Sequence, residues 1–101
     1  MIFFVTFPTK EEAEKLIMRL LEDRIIACGN IINSITSLYR WKGNLENETE
    51  FLAILKTTEQ QASRLNEFIE KNHSYETAEC IGFEIKKISG KYRDWLINCT
   101  T

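Results

Sequence analysis

An α+β sandwich of order β-α-β-β-α-β, with a long central hairpin and a short C-terminal helical segment, is the fold this sequence predicts. Three observations carry it. An apolar strand-like run followed by a helix-capping pattern occurs twice, with Thr9 and Thr58 in equivalent places. Two long stretches rich in β-branched and aromatic residues meet at Lys42-Gly43. An alternating run over residues 79–85 closes the series. At 101 residues the chain reads as one domain, 1–101, large enough to bury a single core.

The first apolar run ends at Pro8, and Thr9-Lys10-Glu11-Glu12 follows as a capping box. In that motif the Thr hydroxyl and the Glu three residues later each satisfy an orphan amide. A helix is therefore expected over roughly 10–23. Ala13, Leu16, Ile17, Leu20 and Leu21 recur at three and four, setting one buried stripe against a charged face. The unit returns at Phe51-Leu52-Ala53-Ile54-Leu55 and Thr58-Glu59-Gln60-Gln61. Laid over the first without gaps, it matches Val5 with Ile54, Ala13 with Ala62, Leu16 with Leu65 and Leu20 with Ile69. Both helices should then cover one face of one sheet.

Residues 29–41 and 44–57 read as long strands, because Ile, Thr, Tyr and Trp suit a pleated surface and Gly43 offers the positive φ of a tight hairpin. Both exceed the usual length of about five or six residues, so their far ends project past the helices and present edges that invite another chain. Residues 79–85 form a further long strand, in which Gly82 marks a bulge or a close backbone approach. The order that results is the ferredoxin-like split βαβ plan. Tyr92-Arg93-Asp94-Trp95-Leu96-Ile97 adds one or two helical turns whose aromatics anchor the C-terminus to the sheet or to a partner.

Hydrophobic content of 44% and charged content of 28% describe an ordinary globular chain. With a net charge of −2 and basic residues scattered among acids, nothing offers the clustered cationic face that nucleic acid requires. The start has no basic n-region and is too short for a signal peptide or membrane span, so no membrane association and a cytoplasmic location are expected. Cys28, Cys80 and Cys99 are odd in number and contain no Cys-x-x-Cys, which reads as small apolar filling rather than a disulfide scaffold. The sequons at Asn47 and Asn98 carry no weight without secretion. No Gly-x-Ser-x-Gly, Ser/His/Asp order or metalloprotease His pair is present, so the chain is not expected to be an enzyme.

Chemistry concentrates at His73-Ser74-Tyr75-Glu76, which holds the only imidazole beside a phenol and a carboxylate. Imidazole and carboxylate are ordinary ligands of copper, zinc and nickel. A metal takes about four donors, so His73 and Glu76 need Cys28, Cys80, a further carboxylate or a neighbouring subunit to complete a site; the bland alternative for His73 is a capping or packing role. Glu46, Glu48 and Glu50 alternate, which aligns them as an anionic ladder for hydrated cations, or as solvated charges that blunt an edge and pair with Arg40 or Lys42.

Several blocks converge on one family: Val5-Thr6-Phe7-Pro8, the run from Arg24 to Ile32, the run from Thr36 to Gly43, Leu55-Lys56-Thr57, His73-Ser74-Tyr75-Glu76 and Tyr92-Arg93-Asp94-Trp95-Leu96. Their order and spacing resemble the CutA divalent-cation tolerance family along essentially the whole chain. The resemblance implies a homotrimer formed through the extended strands, a kinship with the PII signalling proteins, and an association with copper and other divalent ions. The chain departs from the family pattern at Val5, where some members have Cys, and at Asn72-His73, where some have paired imidazoles. It departs again at Ser74, usually Pro, and at Gly29, a common Val whose loss reads as a local loosening of the second strand.

In such a trimer Tyr39, Trp41, Lys56 and Tyr75 line an intersubunit cleft, the aromatics as a stacking wall and Lys56 as an anion contact. The expected function is a non-enzymatic trimer of divalent metal ion homeostasis, taking copper(II) or another divalent cation weakly or between subunits through His73, Glu76 and Cys28. The alternatives are a PII-like module that binds a small anionic metabolite, and a purely structural scaffold.

Overall fold

The computed structural model describes residues 1–101. Its sheet is built around β1 (Ile2–Phe7), whose alternating burial leaves Phe3, Val5 and Phe7 on one face. β1 lies between β3 (Asn44–Lys56) and β4 (Ile81–Phe83), and β2 (Cys28–Trp41) forms the other edge, giving the antiparallel order β2-β3-β1-β4. α1 (Lys10–Glu22) and α2 (Ala62–Asn72) cover the face that Phe3, Val5 and Phe7 share. The chain is the α+β ferredoxin-like sandwich expected. It closes with α3 (Gly90–Cys99), longer than the one or two turns read from sequence. No helix is long and apolar enough to cross a membrane.

The helical stripes fill the core as their periodicity requires. Ala13, Leu16, Ile17 and Leu20 from α1 meet Leu65 and Ile69 from α2, all buried, in one cluster with Val5, Ala53 and Leu55. Full burial of each large aliphatic contributes about 1.5–3 kcal/mol. The gapless repeat holds for the buried stripes of the helices but not for their starts, and it breaks in the strands. Val5 is fully buried beneath the helices and pairs with Ala53, whereas Ile54 lies half-buried on the opposite sheet face. Strand side chains have a period of two, so an offset wrong by one residue reverses the face.

Three local expectations are corrected. Thr9 accepts from the Glu12 amide at 3.2 Å, but the Glu12 carboxylate does not complete the box and instead reaches Ser74. Thr58 makes no side-chain cap, because a single 3-10 turn, Glu59–Gln61, precedes α2. The last strand is three residues rather than the seven of 79–85. Its register pairs Phe4 with Ile81, so Thr6 would face Glu79 in a longer strand. The Thr6 carbonyl is bonded to His73 Nε2 at 2.8 Å, and at the other end β1 runs out at Met1. Gly82 is nevertheless a point of close approach as expected: a Cβ there would run into the Phe3 ring.

The hairpin turns through Lys42 and Gly43, both at positive φ (50° and 83°), which matches the right-handed twist of its strands. A bulge interrupts β2, where Ile32 faces Leu52 but Ile35 faces Glu50. One extra residue is thereby inserted, with Ser34 at φ 56°. The bulge reverses side-chain parity along β2. Tyr39 pairs with Glu46 and Trp41 with Asn44, so both aromatics share the helix-free face with Glu46, Glu48 and Glu50. Gly29 is not a loosened position, since Ile17 fills its vacant side-chain volume and a Cβ there would sit 2.8 Å from Ile17 Cγ2.

Candidate functional site

His73 is the C-cap of α2, with its amide bonded to the Ile69 carbonyl. Its extended backbone turns the imidazole inward, where it is buried and stacked on Phe7 at 4.6 Å between ring centroids. Nε2 lies 2.8 Å from the Thr6 carbonyl, and Nδ1 accepts the Tyr75 amide at 3.0 Å. A carbonyl partner requires Nε2 to carry the proton, which leaves Nδ1 the acceptor and fixes one neutral tautomer. Both ring nitrogens are thus engaged within the chain. Glu12 braces the loop from α1: its carboxylate accepts from the Ser74 amide at 3.0 Å and the Ser74 hydroxyl at 2.7 Å, and lies 3.6 Å from Nδ1. A proline at position 74 would lack the N–H that this bracket uses.

The turn at His73 carries Tyr75 across the end of β1. Its hydroxyl donates to Glu50 Oε2 at 2.9 Å, and Glu50 is buried. Burial first, then the Glu50 hydrogen bond and charge, push the Tyr75 hydroxyl well above its ordinary range. Tyr39 is raised by desolvation, then by Glu48, with Glu50 and Glu46 adding to it. Desolvation and then Glu50 raise Glu79 as well. Glu46, Glu48, Glu50 and Glu79 with two phenols therefore make a locally negative surface that runs from the end of β1 along the helix-free face of the hairpin. Neither Arg40 nor Lys42 forms an ion pair with these acids, since the parity set by the bulge places Arg40 on the other face and Lys42 Nζ lies over the Trp41 ring at 5.6 Å.

The raised Glu79 gives a signed expectation. A carboxyl whose folded pKa exceeds its unfolded one favours the folded chain when protonated, so its contribution is present below about pH 4.3 and is lost as pH rises through the folded value. Glu79→Gln should raise Tm at pH 7 and leave it nearly unchanged at pH 4. Thermal melts at the two values check this, and a Tm gain of equal size at both would contradict it.

The other predicted residues lie apart. Glu76 is exposed on the loop. Half-buried Cys28 begins β2 opposite Lys56, which faces Ile2, at the end of β1 remote from Thr6 and His73. Its thiol contacts Asn30 Oδ1 at 3.6 Å. Lys56 is ten residues along β3 from Glu46, the partner of Tyr39, or about 33 Å in an extended strand. Within one chain, no group of three or more His, Cys, Asp or Glu side chains is disposed to hold a metal ion. Cys80 bonds to Asn66 Oδ1, and burial, with Glu70 and Glu79, pushes its thiol up to about 11, an unreactive setting. Glu12 was missed as a member of the loop because its partner lies 62 residues away; its place in the capping box was the available signal.

A split βαβ sandwich with an overlong hairpin, and with a histidine loop closing the end of its central strand, defines a small α+β domain of the ferredoxin-like class. Within that class the chain belongs to the CutA1 divalent ion tolerance protein family, which it matches over residues 1–99. It is 35% identical over 99 residues to the chloroplastic protein CutA of Arabidopsis thaliana, a match covering 98% of this chain and 54% of the relative. The chain thus spans about half the length of that relative. It is 38% identical to the divalent-cation tolerance protein CutA of Thermotoga maritima, covering 94% of this chain and 93% of the relative. The crystal structure of CutA1 from Pyrococcus horikoshii superposes with a TM-score of 0.94 at 37% identity, covering 99% of this chain and 97% of that one. Divalent-cation tolerance is the property for which the family and the Thermotoga maritima relative are named.

Proposed function

We propose that the chain works as a non-enzymatic homotrimer and that copper(II) or another divalent cation is held where its subunits meet. The observation that carries this reading is the uncovered sheet face. Phe4, Ile32, Leu52, Ile54, Ile81 and Phe83 share it opposite the helices, with Ile32, Ile81 and Phe83 exposed, and it continues onto the hairpin through Tyr39 and Trp41. Soluble monomers rarely leave so extended an apolar face in water. Three copies are the number that the resemblance to CutA implies. Three free cysteines suit a reducing compartment, which supports a cytoplasmic location.

The cation belongs between subunits because one chain does not assemble enough donors. Glu48, Glu50 and Glu79 supply hard oxygen atoms, exposed Glu76 is the free carboxylate of the loop, and Cys28 joins such a site only from a neighbouring copy. His73 shapes the wall by holding Tyr75 against Glu50. A PII-like reading draws on the exposed Tyr39 and Trp41 rings with Lys56 of a neighbouring copy, and stabilisation by an anionic metabolite in a thermal-shift screen would favour it.

Light scattering at about micromolar concentration should report a trimer, and a calorimetric titration with copper(II) should show about micromolar binding near one site per subunit. Glu79→Gln should weaken that binding severalfold. A monomer would remove the intersubunit site altogether. A trimer that takes up no copper(II) would reject copper as the cation and move the search to other divalent ions and metabolites.

A further inference from the structure

The helix layer carries a basic groove that the site above does not use. Between α1 and α2 a cavity of ≈ 300 Å³ is lined by eight residues, of which only Ile25 and Phe68 are hydrophobic. Arg19, Arg64 and Lys71 are its cations, and Asp23 and Glu67 its acids. A second cavity of ≈ 480 Å³ shares Asp23 and Arg64 with the first and adds Arg24. Four basic side chains thus face two acidic ones along a joined groove, in a chain whose net charge is −2. None of the four has a carboxylate in ion-pair range.

Neutral groups hold the guanidinium planes instead. Asn72 donates to the Phe68 carbonyl at 2.9 Å and accepts from Arg19 at 3.3 Å, and the Arg19 guanidinium lies over the Phe68 ring at 4.8 Å. Gln61 donates to the Thr100 carbonyl at 2.9 Å and accepts from Arg64 at 2.9 Å. A guanidinium has five N–H donors, and an amide oxygen engages one of them without cancelling the charge. Both arginines are therefore oriented yet keep donors for an anion. Arg24 stands where α1 stops, its amide bonded to the Leu21 carbonyl and the next amide to that of Leu20, a helix ending that favours glycine. Its φ of 57° is one that side-chain-bearing residues resist. Glycine would end the helix without that strain, whereas arginine brings a third guanidinium to the groove.

The lining also selects the kind of molecule that fits. Small-molecule sites occupy about 300–1,000 Å³, so the first cavity suits a compact ligand. Guanidinium groups meet phosphate with paired, charge-assisted N–H donors. Arg19 covers the Phe68 ring and Ile25 is buried, so little apolar surface is left for a nucleobase to stack on. Asp23 and Glu67 repel a bare anion but accept hydrogen bonds from hydroxyl groups. We propose that this groove binds a small sugar phosphate, its phosphoryl oxygens on Arg19, Arg64 and Lys71 and its hydroxyls on Asp23 and Glu67. The groove lies in the helix layer, on the side of the sheet opposite the helix-free face, so the proposal stands apart from the intersubunit cation site.

The test is an NMR titration of the isotope-labelled full chain with glucose-6-phosphate, glucose and inorganic phosphate as separate probes. Glucose-6-phosphate should shift the amides of Asp23, Arg64 and Lys71 saturably, with a dissociation constant of about 1 mM or below, and glucose should not. R19A/R64A should raise that constant at least about tenfold. Glu67→Ala should split the probes, weakening glucose-6-phosphate severalfold while strengthening inorganic phosphate. All these side chains are exposed, so the substitutions spare the core. Lys71→Ala breaks no hydrogen bond within the chain and should weaken glucose-6-phosphate severalfold, which keeps the test decisive if R19A/R64A fails to fold. No saturation by glucose-6-phosphate at about millimolar concentration would overturn the site. Equal affinity for inorganic phosphate would overturn the sugar phosphate as its ligand. Binding unchanged by the arginine and Lys71 variants would place the ligand elsewhere and overturn the groove.

Discussion

Replacing His73 with alanine should destabilise the folded chain by about 3 kcal/mol. The imidazole is buried against Phe7, so its removal leaves a cavity beside a core ring. It also strips the hydrogen-bond partner from the Thr6 carbonyl and from the Tyr75 amide. An unmade buried hydrogen bond costs about 1–3 kcal/mol, comparable to the packing loss. His73→Phe keeps the stack and loses both bonds, so it should fall between wild type and His73→Ala. Urea unfolding of the three proteins checks the order, and a loss below about 1 kcal/mol for His73→Ala would show that the ring does not hold this loop. Tyr75 should lose its grip on Glu50 in the same variant, since the bond from its amide to Nδ1 places it.

Gly29→Val should cost about 2 kcal/mol, although valine is a better strand residue than glycine. Gly29 has no positive φ to protect, so the cost comes from Ile17, which occupies the space where the new side chain would go. The neighbour is a nearly buried branched methyl group on α1 and cannot swing into solvent. Shortening that neighbour should therefore relieve the clash. Ile17→Ala alone opens a cavity and destabilises, yet combined with Gly29→Val it should cost less than the two separate losses added together. A double-mutant cycle by denaturant unfolding measures the coupling. Additive losses would mean that helix and strand shift independently and that the two side-chain volumes are not exchanged.

Much of the fold could be read because helix stripes and caps are local signals. The spacing of Leu16, Leu20, Leu65 and Ile69 states which faces are buried, and Lys42-Gly43 states where the hairpin turns. The errors arose where a contact distant in sequence decided the outcome. β4 reads as a long strand from its own residues, and the bond from His73 to Thr6, 67 residues apart, stops it at one end while β1 runs out at the other. The bulge in β2 has a local signal of its own, Asn33-Ser34, turn-type residues inside an Ile-rich strand.

The candidate site was legible as a collection of groups but not as an arrangement. His73, Tyr75 and Glu50 were all singled out, while the bond from Tyr75 to Glu50 spans 25 residues and follows from no local pattern. Cys28 and Lys56 were grouped with distant residues because the cleft was assigned to an assembly, and a single chain keeps them at the far end of the sheet. Glu79 gained its raised pKa from burial and from Glu50, neither of which is visible in a string of letters.

The extra residue in β2 makes the strand count its own length. Inserting or deleting one residue between the bulge and Trp41 would carry Tyr39 and Trp41 to the side of Arg40 and bring Leu38 beside the acids of β3. A change of two residues would preserve the facing and alter only the reach of the hairpin. This arm can therefore lengthen or shorten in even steps while Tyr39 and Trp41 stay on the face of the β3 acids, whereas odd steps require a compensating bulge elsewhere in the same strand.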